Sequence, residues 1–216
     1  SRVVSSTGGT PNTRVERFIW ELKDTSFEPG VAMNYPRDVG SIDFDLELDA
    51  SGEFFALSEK NQRMERAVRD GFSDNVKVVP YDWGGWSTLQ VTAVLTVWRR
   101  VTGKLKGKTE RGLRIPKRDP SSHIADGWKA KHKAGADELD DESDPVGDGH
   151  PGDGFALYEE YRGFVIDGQH VEGDPKAKDF FVLNLIGGDA EPGLGLFESL
   201  SGFRVHTTTL ESELSS

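Results

Sequence analysis

Residues 42–49 read Ile-Asp-Phe-Asp-Leu-Glu-Leu-Asp, so apolar and acidic side chains alternate over eight successive positions. Because successive side chains of a strand point to opposite faces, this alternation is typical of a strand with one buried and one solvated face. Ser51 and Gly52 then predict a turn, and residues 53–57, Glu-Phe-Phe-Ala-Leu, begin a returning strand. The stretch therefore predicts antiparallel β structure.

The same pattern extends through the first half of the chain, where further β-rich runs are residues 14–23, 76–79, 88–98 and 103–106. Only residues 58–70 are predicted to be helical, because Ser58 can cap a helix and Met64, Ala67 and Val68 form a thin apolar stripe. Many short strands separated by turns predict an antiparallel, immunoglobulin-like β-sandwich over residues 1–116. We expect its inner faces to include Trp20, Phe44, Leu46, Val91, Ala93 and Leu95.

Charge divides the chain of 216 residues into two regions. Residues 1–118 hold 19 basic and 16 acidic side chains, whereas residues 119–216 hold 7 and 21, and the whole chain has a net charge of −11. We therefore predict a second region, residues 117–216, that is acidic and loop-rich with short helices. Nucleic acid and anionic membranes are poor partners for such a chain. Its apolar runs are too short for membrane insertion.

Cysteine is absent, which excludes disulfides, thiolate metal sites and a cysteine nucleophile. The chain does not start with Met and ends in polar residues, so we expect a processed or trimmed fragment. A cysteine-free exported protein needs another stabilising cross-link, and calcium commonly supplies one.

Eight carboxylates and no Lys or Arg lie between Asp137 and Asp153, so this stretch is either a calcium-binding segment or a disordered acidic loop. If Gly154 takes the sixth place of a twelve-residue calcium loop, Asp153 takes the fifth, the Phe155 carbonyl the seventh and Glu160 the twelfth. The first and third places fall on Gly149 and Pro151, which offer no side-chain ligand. Asp144 or Asp148 would have to substitute, which predicts weak or vestigial calcium binding.

Two motifs resemble the thrombospondin type-three and EF-hand-like calcium segments of bacterial exported proteins. They are Ile-x-Asp-x-Trp at residues 124–128 and Gly-Asp-Gly-x-x-x-Tyr-Glu-Glu-Tyr at residues 152–161. The resemblance implies that Asp126, Asp153 and Glu160 bind calcium, and that residues 119–180 form a stiff spacer between domains.

A wider set of segments is similar to an uncharacterised family of large bacterial exported proteins. These segments are residues 81–86, 115–118, 158–164, 174–182 and 197–206. Some members continue into a zinc-peptidase-like region with a His-Glu-x-x-His helix, a motif that this chain lacks. The resemblance implies an extracellular or cell-surface location.

Three aromatic residues surround a Gly-Gly turn at residues 81–86. Tyr81, Trp83 and Trp86 either form a platform that stacks on a sugar or, as is more usual for tryptophan, plug the end of the sandwich.

No catalytic motif is complete. The five histidines include no pair at helical spacing, no Gly-x-Ser-x-Gly elbow occurs, and the Gly-rich run 187–195 lacks the Lys of a phosphate loop. We predict a non-catalytic extracellular structural or interaction module that contacts other protein domains, cell-surface components or a glycan. The alternative is the recognition or folding portion of a larger secreted metallohydrolase whose catalytic residues lie outside this chain.

Overall fold

The computed structural model describes residues 14–35, 44–51, 56–68, 73–96, 99–135 and 153–214. These residues form two compact units. The first contains the described residues of 14–27, 44–81 and 85–115, and the second those of 28–35, 82–84 and 116–214. The second unit thus includes two short segments of the amino-terminal half, which charge and composition do not reveal.

Within its described residues, the first unit is built from eight strands: β1 (Val15–Lys23), β2 (Leu46–Leu48), β3 (Ala56–Leu57), β4 (Arg63–Ala67), β5 (Val78–Pro80), β6 (Ser87–Leu95), β7 (Arg100–Thr102) and β8 (Leu113–Ile115). Six of them form an antiparallel sheet in the order β3-β4-β1-β6-β7, with β8 also paired to β6. Strands β2 and β5 form a second antiparallel pair. The predicted mainly β, antiparallel structure is confirmed, although residues 42–43, 53–55 and 97–98 of the predicted strands lie outside the described residues.

One apolar cluster joins the large sheet to the β2–β5 pair. Its buried members are Val15, Phe18, Trp20, Leu22, Leu46, Leu48, Met64, Ala93 and Leu95. Four of the six predicted core residues are in this list, Val91 packs against the cluster, and Phe44 is half-buried outside it. The alternation read from residues 42–49 therefore does place Leu46 and Leu48 in the core.

A β-bulge modifies the alternation of β1. Strict alternation predicts Val15 on the face opposite Phe18 and Trp20, yet all three belong to the same cluster. The register between β1 and β6 shifts between Val15 and Arg17, and such an extra residue moves Val15 to the inner face.

The predicted helix over residues 58–70 is wrong. Residues Glu59–Asn61 form a single 3₁₀ turn, the Ser58 hydroxyl accepts the Arg63 N–H at 2.8 Å, and the chain continues as β4. Met64 is fully buried in the sheet core, and Glu65 forms an ion pair with Arg17 of the neighbouring strand at 3.0 Å. Pairing with β1 thus outweighs the helix propensity of Arg, Met, Glu and Ala. Residues 69–70 lie outside the described residues.

The predicted strand over residues 103–106 is also wrong. Strand β7 ends at Thr102, and the following residues form a turn in which the Lys108 N–H donates to the Leu105 carbonyl at 3.0 Å.

The second unit contains short helices, as predicted for the acidic region, and also two small sheets that the sequence did not predict. Its helices are α1 (Asp126–His132), α2 (Leu157–Arg162) and α3 (Glu191–Ser201). Its strands are β9 (Phe164–Ile166) and β10 (Gln169–Val171), which form a hairpin, and β11 (Asp179–Leu183) and β12 (Arg204–Thr208), which pair in parallel. Two 3₁₀ turns, Gly187–Ala190 and Glu211–Glu213, complete the unit's described elements.

An aromatic and apolar cluster holds α1 against α2. Ile124, Trp128 and Leu157 are its buried members, and Tyr158 and Tyr161 pack against them. The Trp128 and Tyr161 rings meet edge to face with centroids 5.5 Å apart. The sequence predicts that residues 155–161 begin a short helix after Asp153, in which Tyr158 and Tyr161, three positions apart, share a packed face. Helix α2 and the packing of both tyrosines confirm this prediction.

Buried polar groups fix the rest of the second unit. The Glu213 carboxylate accepts the backbone N–H groups of Asp167 and Gly168 at 2.8 and 2.9 Å, and it also accepts the Thr208 hydroxyl. The Asn34 side chain bonds both the N–H and the carbonyl of Val165. Because these polar groups are fully hydrogen-bonded only in one arrangement, they stabilise that arrangement of loops that have little apolar surface to bury.

Candidate metal site

Three carboxylates from separate segments meet in the second unit. Asp153, Glu160 and Asp179 each offer an oxygen, and these oxygens lie within 4.8 Å of one another. Within the described residues no other group of three acidic or histidine side chains converges in this way.

Asp153 lies just before α2 and connects it to β11. One carboxylate oxygen accepts the N–H of Phe155 at 3.1 Å, and the other accepts the N–H of Asp179 at 2.7 Å. The first bond closes a local Asx turn, which Asp side chains favour. The second places Asp153 beside the first residue of β11.

Glu160 is brought inside by the local sequence of α2. The Ala156 N–H, which has no partner within the helix, donates to the Glu159 carboxylate at 2.6 Å and so stabilises the start of α2. Leu157, three residues before Glu160, is buried in the apolar cluster, so this side of the helix turns inward. Glu160 is only 3% exposed.

Gly173 makes room for the Glu160 carboxylate. Its N–H donates to the Glu160 carbonyl at 3.0 Å, and a Cβ at this position would lie 1.8 Å from Glu160 Oε2. Any larger residue would have to displace the carboxylate, so the close approach requires glycine.

Asp179 opens β11 and is 7% exposed. Its Oδ1 atom contacts His206 Nε2 and lies 3.6 Å from Arg204 Nη1, both on the paired strand β12. Because β11 and β12 run in parallel register, with Asp179 opposite Arg204, these side chains meet at one end of the sheet. The cationic Arg204 partly offsets the three carboxylates.

Two oxygen atoms of the site have no hydrogen-bond partner. They are Glu160 Oε2 and Asp179 Oδ2, and both are buried. A buried acceptor without a partner costs about 1–3 kcal/mol, and more when it is charged. The arrangement is therefore incomplete unless a cation or a proton lies between the carboxylates.

Burial raises the pKa of Glu160 from 4.5 to about 9, with further contributions from Asp179 and Asp153 and an opposing one from Arg204. Removal from water disfavours the charged carboxylate, and neighbouring negative charges add to that cost. A bound divalent cation would reverse both effects because it supplies the missing charge compensation.

The chemistry of this donor set is that of a hard cation site. All three ligand groups are carboxylates, the type that Ca²⁺, Mg²⁺ and Mn²⁺ prefer, whereas zinc sites favour histidine and cysteine. The triad can therefore hold a metal ion. Its three residues come from the turn before α2, from α2 and from the first position of β11.

The structure brings together two of the predicted calcium ligands, Asp153 and Glu160. Asp126 is not in the triad, because it lies at the start of α1 and forms an exposed ion pair with Lys117 at 3.1 Å. Phe155, whose carbonyl is the predicted seventh ligand, packs its ring against Phe164 and Phe181. Asp144 and Asp148 lie outside the described residues.

Sequence reasoning missed Asp179, the third member of the triad. The spacing pattern of a calcium loop covers only twelve residues. Asp179 follows Glu160 by nineteen positions, so only the fold brings the two residues together. The sequence signal for Asp179 was an acidic residue at the start of an apolar run. This pattern is too common to identify a metal ligand.

The predicted aromatic ligand residues have different environments. Trp83 is 59% exposed and stacks on His170 with ring centroids 4.0 Å apart, so it is not a buried plug. Tyr81 is exposed, whereas Trp86 is half-buried.

Comparison with protein-family models, with curated proteins and with solved structures finds no match to this chain. Among the described helices, none has both the length and the apolar character that crossing a bilayer requires.

Proposed function

We propose that the chain is a non-catalytic extracellular structural or interaction module whose acidic unit is stabilised by calcium bound to Asp153, Glu160 and Asp179. The observation that carries this proposal is the pair of buried carboxylate oxygens, on Glu160 and Asp179, that have no hydrogen-bond partner beside a third carboxylate. The immunoglobulin-like sandwich is part of the same proposal, supported by the apolar cluster shared between the large sheet and the β2–β5 pair.

Calcium suits the site better than magnesium or zinc. Calcium accepts six to eight oxygens in irregular geometry, so water or backbone carbonyls can complete three carboxylates. Magnesium demands near-ideal octahedral geometry, and zinc prefers nitrogen and sulfur ligands. The hydrogen bonds that Asp153 already accepts, and the nearby Arg204, favour weak binding in the millimolar range of extracellular modules.

A bound ion would act as a cross-link in a chain that has no cysteine. It would join the turn before α2 to strand β11. Asp153 in that turn and Asp179 in the strand are 26 residues apart in sequence. Ligands that bind only the folded state stabilise it by mass action, as disulfides do by covalent restraint. This role supports an extracellular location, where calcium is abundant.

Contacts to other protein domains, cell-surface components or a glycan are part of the proposal. Exposed Trp83, held by its stack on His170, offers a flat aromatic surface of the kind that packs on a sugar face.

Thermal unfolding in EDTA, calcium and magnesium tests the proposal. Millimolar calcium is expected to raise the Tm of the parent chain more than magnesium does, by mass action. Asp179→Asn, and separately Asp153→Asn with Glu160→Gln, are expected to remove that calcium-specific shift.

Two variants serve as controls for charge alone. Asp126→Asn removes a carboxylate outside the triad, and Asp140→Asn with Asp141→Asn removes two from the acidic run; both should keep the calcium shift. If these controls lose the shift while the triad variants retain it, calcium binds elsewhere and the proposed site is wrong.

A further inference from the structure

A loop interrupts the strand at one edge of the large sheet. Strands β7 and β8 both pair with the same edge of β6, so together they act as a single edge strand. The Gly103 N–H donates to the Val91 carbonyl at 2.7 Å, and Gly112, which precedes β8, lies beside Gln90. Residues 104–111, the basic loop, are therefore inserted between two adjacent positions of β6, and both of their ends are held there.

Two glycines close the base of the basic loop. A Cβ at Gly103 would lie 2.7 Å from Val91 Cγ1, and a Cβ at Gly112 would lie 2.8 Å from Thr88 Cγ2. Gly112 also has a φ of +126°, a conformation that residues with a side chain rarely adopt. The close approach of both ends to β6 thus depends on glycine, and compact loops with adjacent ends commonly carry function.

A turn at the tip of the basic loop positions its three lysines. The Lys108 N–H donates to the Leu105 carbonyl at 3.0 Å, and Gly107, at the third position of the turn, has a φ of +77°. A positive φ at this position is the mark of a type II turn. Lys106 therefore lies at the tip, with Lys104 before the turn and Lys108 at its end.

The positive charge of the basic loop is not neutralised. Four of its side chains are exposed and form no ion pair with any carboxylate of the described residues: Lys104, Lys106, Lys108 and Arg111. Its one acidic residue, Glu110, lies 3.9 Å from Arg114 on β8 instead. Residues 99–114 as a whole hold seven basic side chains and one acidic side chain, in a chain whose net charge is −11.

Protection of the sheet edge does not explain these positions. Basic residues on an edge strand block pairing with another chain, and Arg100 on β7 and Arg114 on β8 already occupy that edge. The four unpaired cations lie on the inserted loop, outside the strand pairing. Their charge is therefore available to an anionic partner.

The composition of the loop narrows the class of that partner. Residues 99–115 contain no aromatic side chain on which the bases of a single-stranded nucleic acid could stack. Leu105 is the one large apolar residue of the loop and is half-buried, so the loop lacks the apolar anchor of a protein interface. A DNA duplex or an anionic bilayer would bring dense negative charge against an acidic chain.

We propose that the basic loop binds an acidic polysaccharide. This inference rests on the proposed interaction function and specifies the partner as a glycan that bears carboxylates. Lysine ammonium groups donate charge-assisted hydrogen bonds to such carboxylates, and their remaining N–H groups can donate to sugar hydroxyls. Binding of this kind needs no shared apolar core and weakens as salt screens the charges.

A labelled polygalacturonate oligosaccharide provides the probe. Its Kd is measured by fluorescence anisotropy in EDTA and low salt, and the parent chain is expected to bind it saturably. The triple variant Lys104→Gln, Lys106→Gln and Lys108→Gln is expected to weaken binding about tenfold or more, because three cationic contacts are lost. The matched control is Lys77→Gln, Lys133→Gln and Lys176→Gln, which removes three exposed lysines outside the loop and should bind as the parent does.

Several outcomes would overturn the inference. They are no saturable binding by the parent, equal affinity of the parent and the loop variant, and an equal loss in the control variant, which would indicate net charge alone. Tighter binding of duplex DNA, of phosphatidylserine vesicles or of a synthetic peptide of residues 137–153 would assign the loop to another class of partner.

The titration in EDTA separates this inference from the metal site. Polysaccharide binding without a calcium-dependent shift in Tm contradicts the metal site alone. A calcium-dependent shift in Tm without polysaccharide binding contradicts the role of the basic loop alone.

Discussion

At the scale of single residues, the Glu160 carboxylate determines how the site responds to pH. Without metal, its pKa of about 9 means that the folded protein keeps a proton that the unfolded chain releases above pH 4.5. The folded state then binds more protons than the unfolded state, so its stability falls as pH rises between those values.

Glu160→Gln tests this pH dependence in EDTA. The free energy of unfolding of the parent chain, measured by urea denaturation, is expected to fall by up to about 1.4 kcal/mol per pH unit between pH 5 and 9. The neutral glutamine should flatten that slope. An unchanged slope in the variant would show that another group titrates.

Gly173 offers a second test at this scale. Gly173→Ala places a methyl group where Glu160 Oε2 lies, so we expect a loss of about 1–3 kcal/mol of stability and of the calcium-dependent Tm shift. Gly127→Ala is the matched control, because a Cβ there meets no atom within 4 Å and α1 gains a better helix former. Equal destabilisation by both substitutions would contradict the close contact between Gly173 and Glu160.

At the scale of elements, α2 combines several roles in six residues. Glu160 belongs to the carboxylate triad of the candidate metal site, Tyr161 packs on Trp128, and Arg162 forms a buried ion pair with Asp82. The Arg162 guanidinium also donates to the Pro29 carbonyl, so the two short segments 28–35 and 82–84 are anchored to this helix.

Asp82→Ala is expected to destabilise the second unit by about 3–5 kcal/mol, because it leaves the Arg162 charge buried and unpaired. Asp82→Ala with Arg162→Met should recover part of that loss in urea denaturation. Asp126→Ala breaks the exposed pair with Lys117 and should cost at most about 1 kcal/mol. Comparable losses at Asp82 and Asp126 would argue against the buried pair.

Element prediction succeeded where one local pattern agreed with the final packing. Leu46 and Leu48 alternate with acids and enter the core, and the Tyr-Glu-Glu-Tyr run forms the expected helix. The prediction failed for residues 63–67, since good helix formers there pair with β1 as a strand. Local propensity is a weak signal when a neighbouring strand supplies both hydrogen bonds and a core position for Met64.

At the scale of the whole molecule, sequence predicted an acidic region with a cation site and named two of the three carboxylates that meet in the candidate site. Asp153 and Glu160 lie close in sequence, whereas Asp179 is distant in sequence and joins them in the fold, where its N–H donates to the Asp153 carboxylate. Charge segregation likewise did not reveal that residues 28–35 and 82–84 belong to the second unit. Both features depend on contacts between distant residues, which composition and spacing do not encode.

The central claim is that a calcium ion lies between Asp153, Glu160 and Asp179. The most direct measurement is an anomalous difference map from crystals of this chain grown with calcium. We predict a peak with one oxygen of each carboxylate at about 2.3–2.6 Å, the usual calcium–oxygen distance. A map with calcium bound only elsewhere in the chain, and none among these three carboxylates, would contradict the claim.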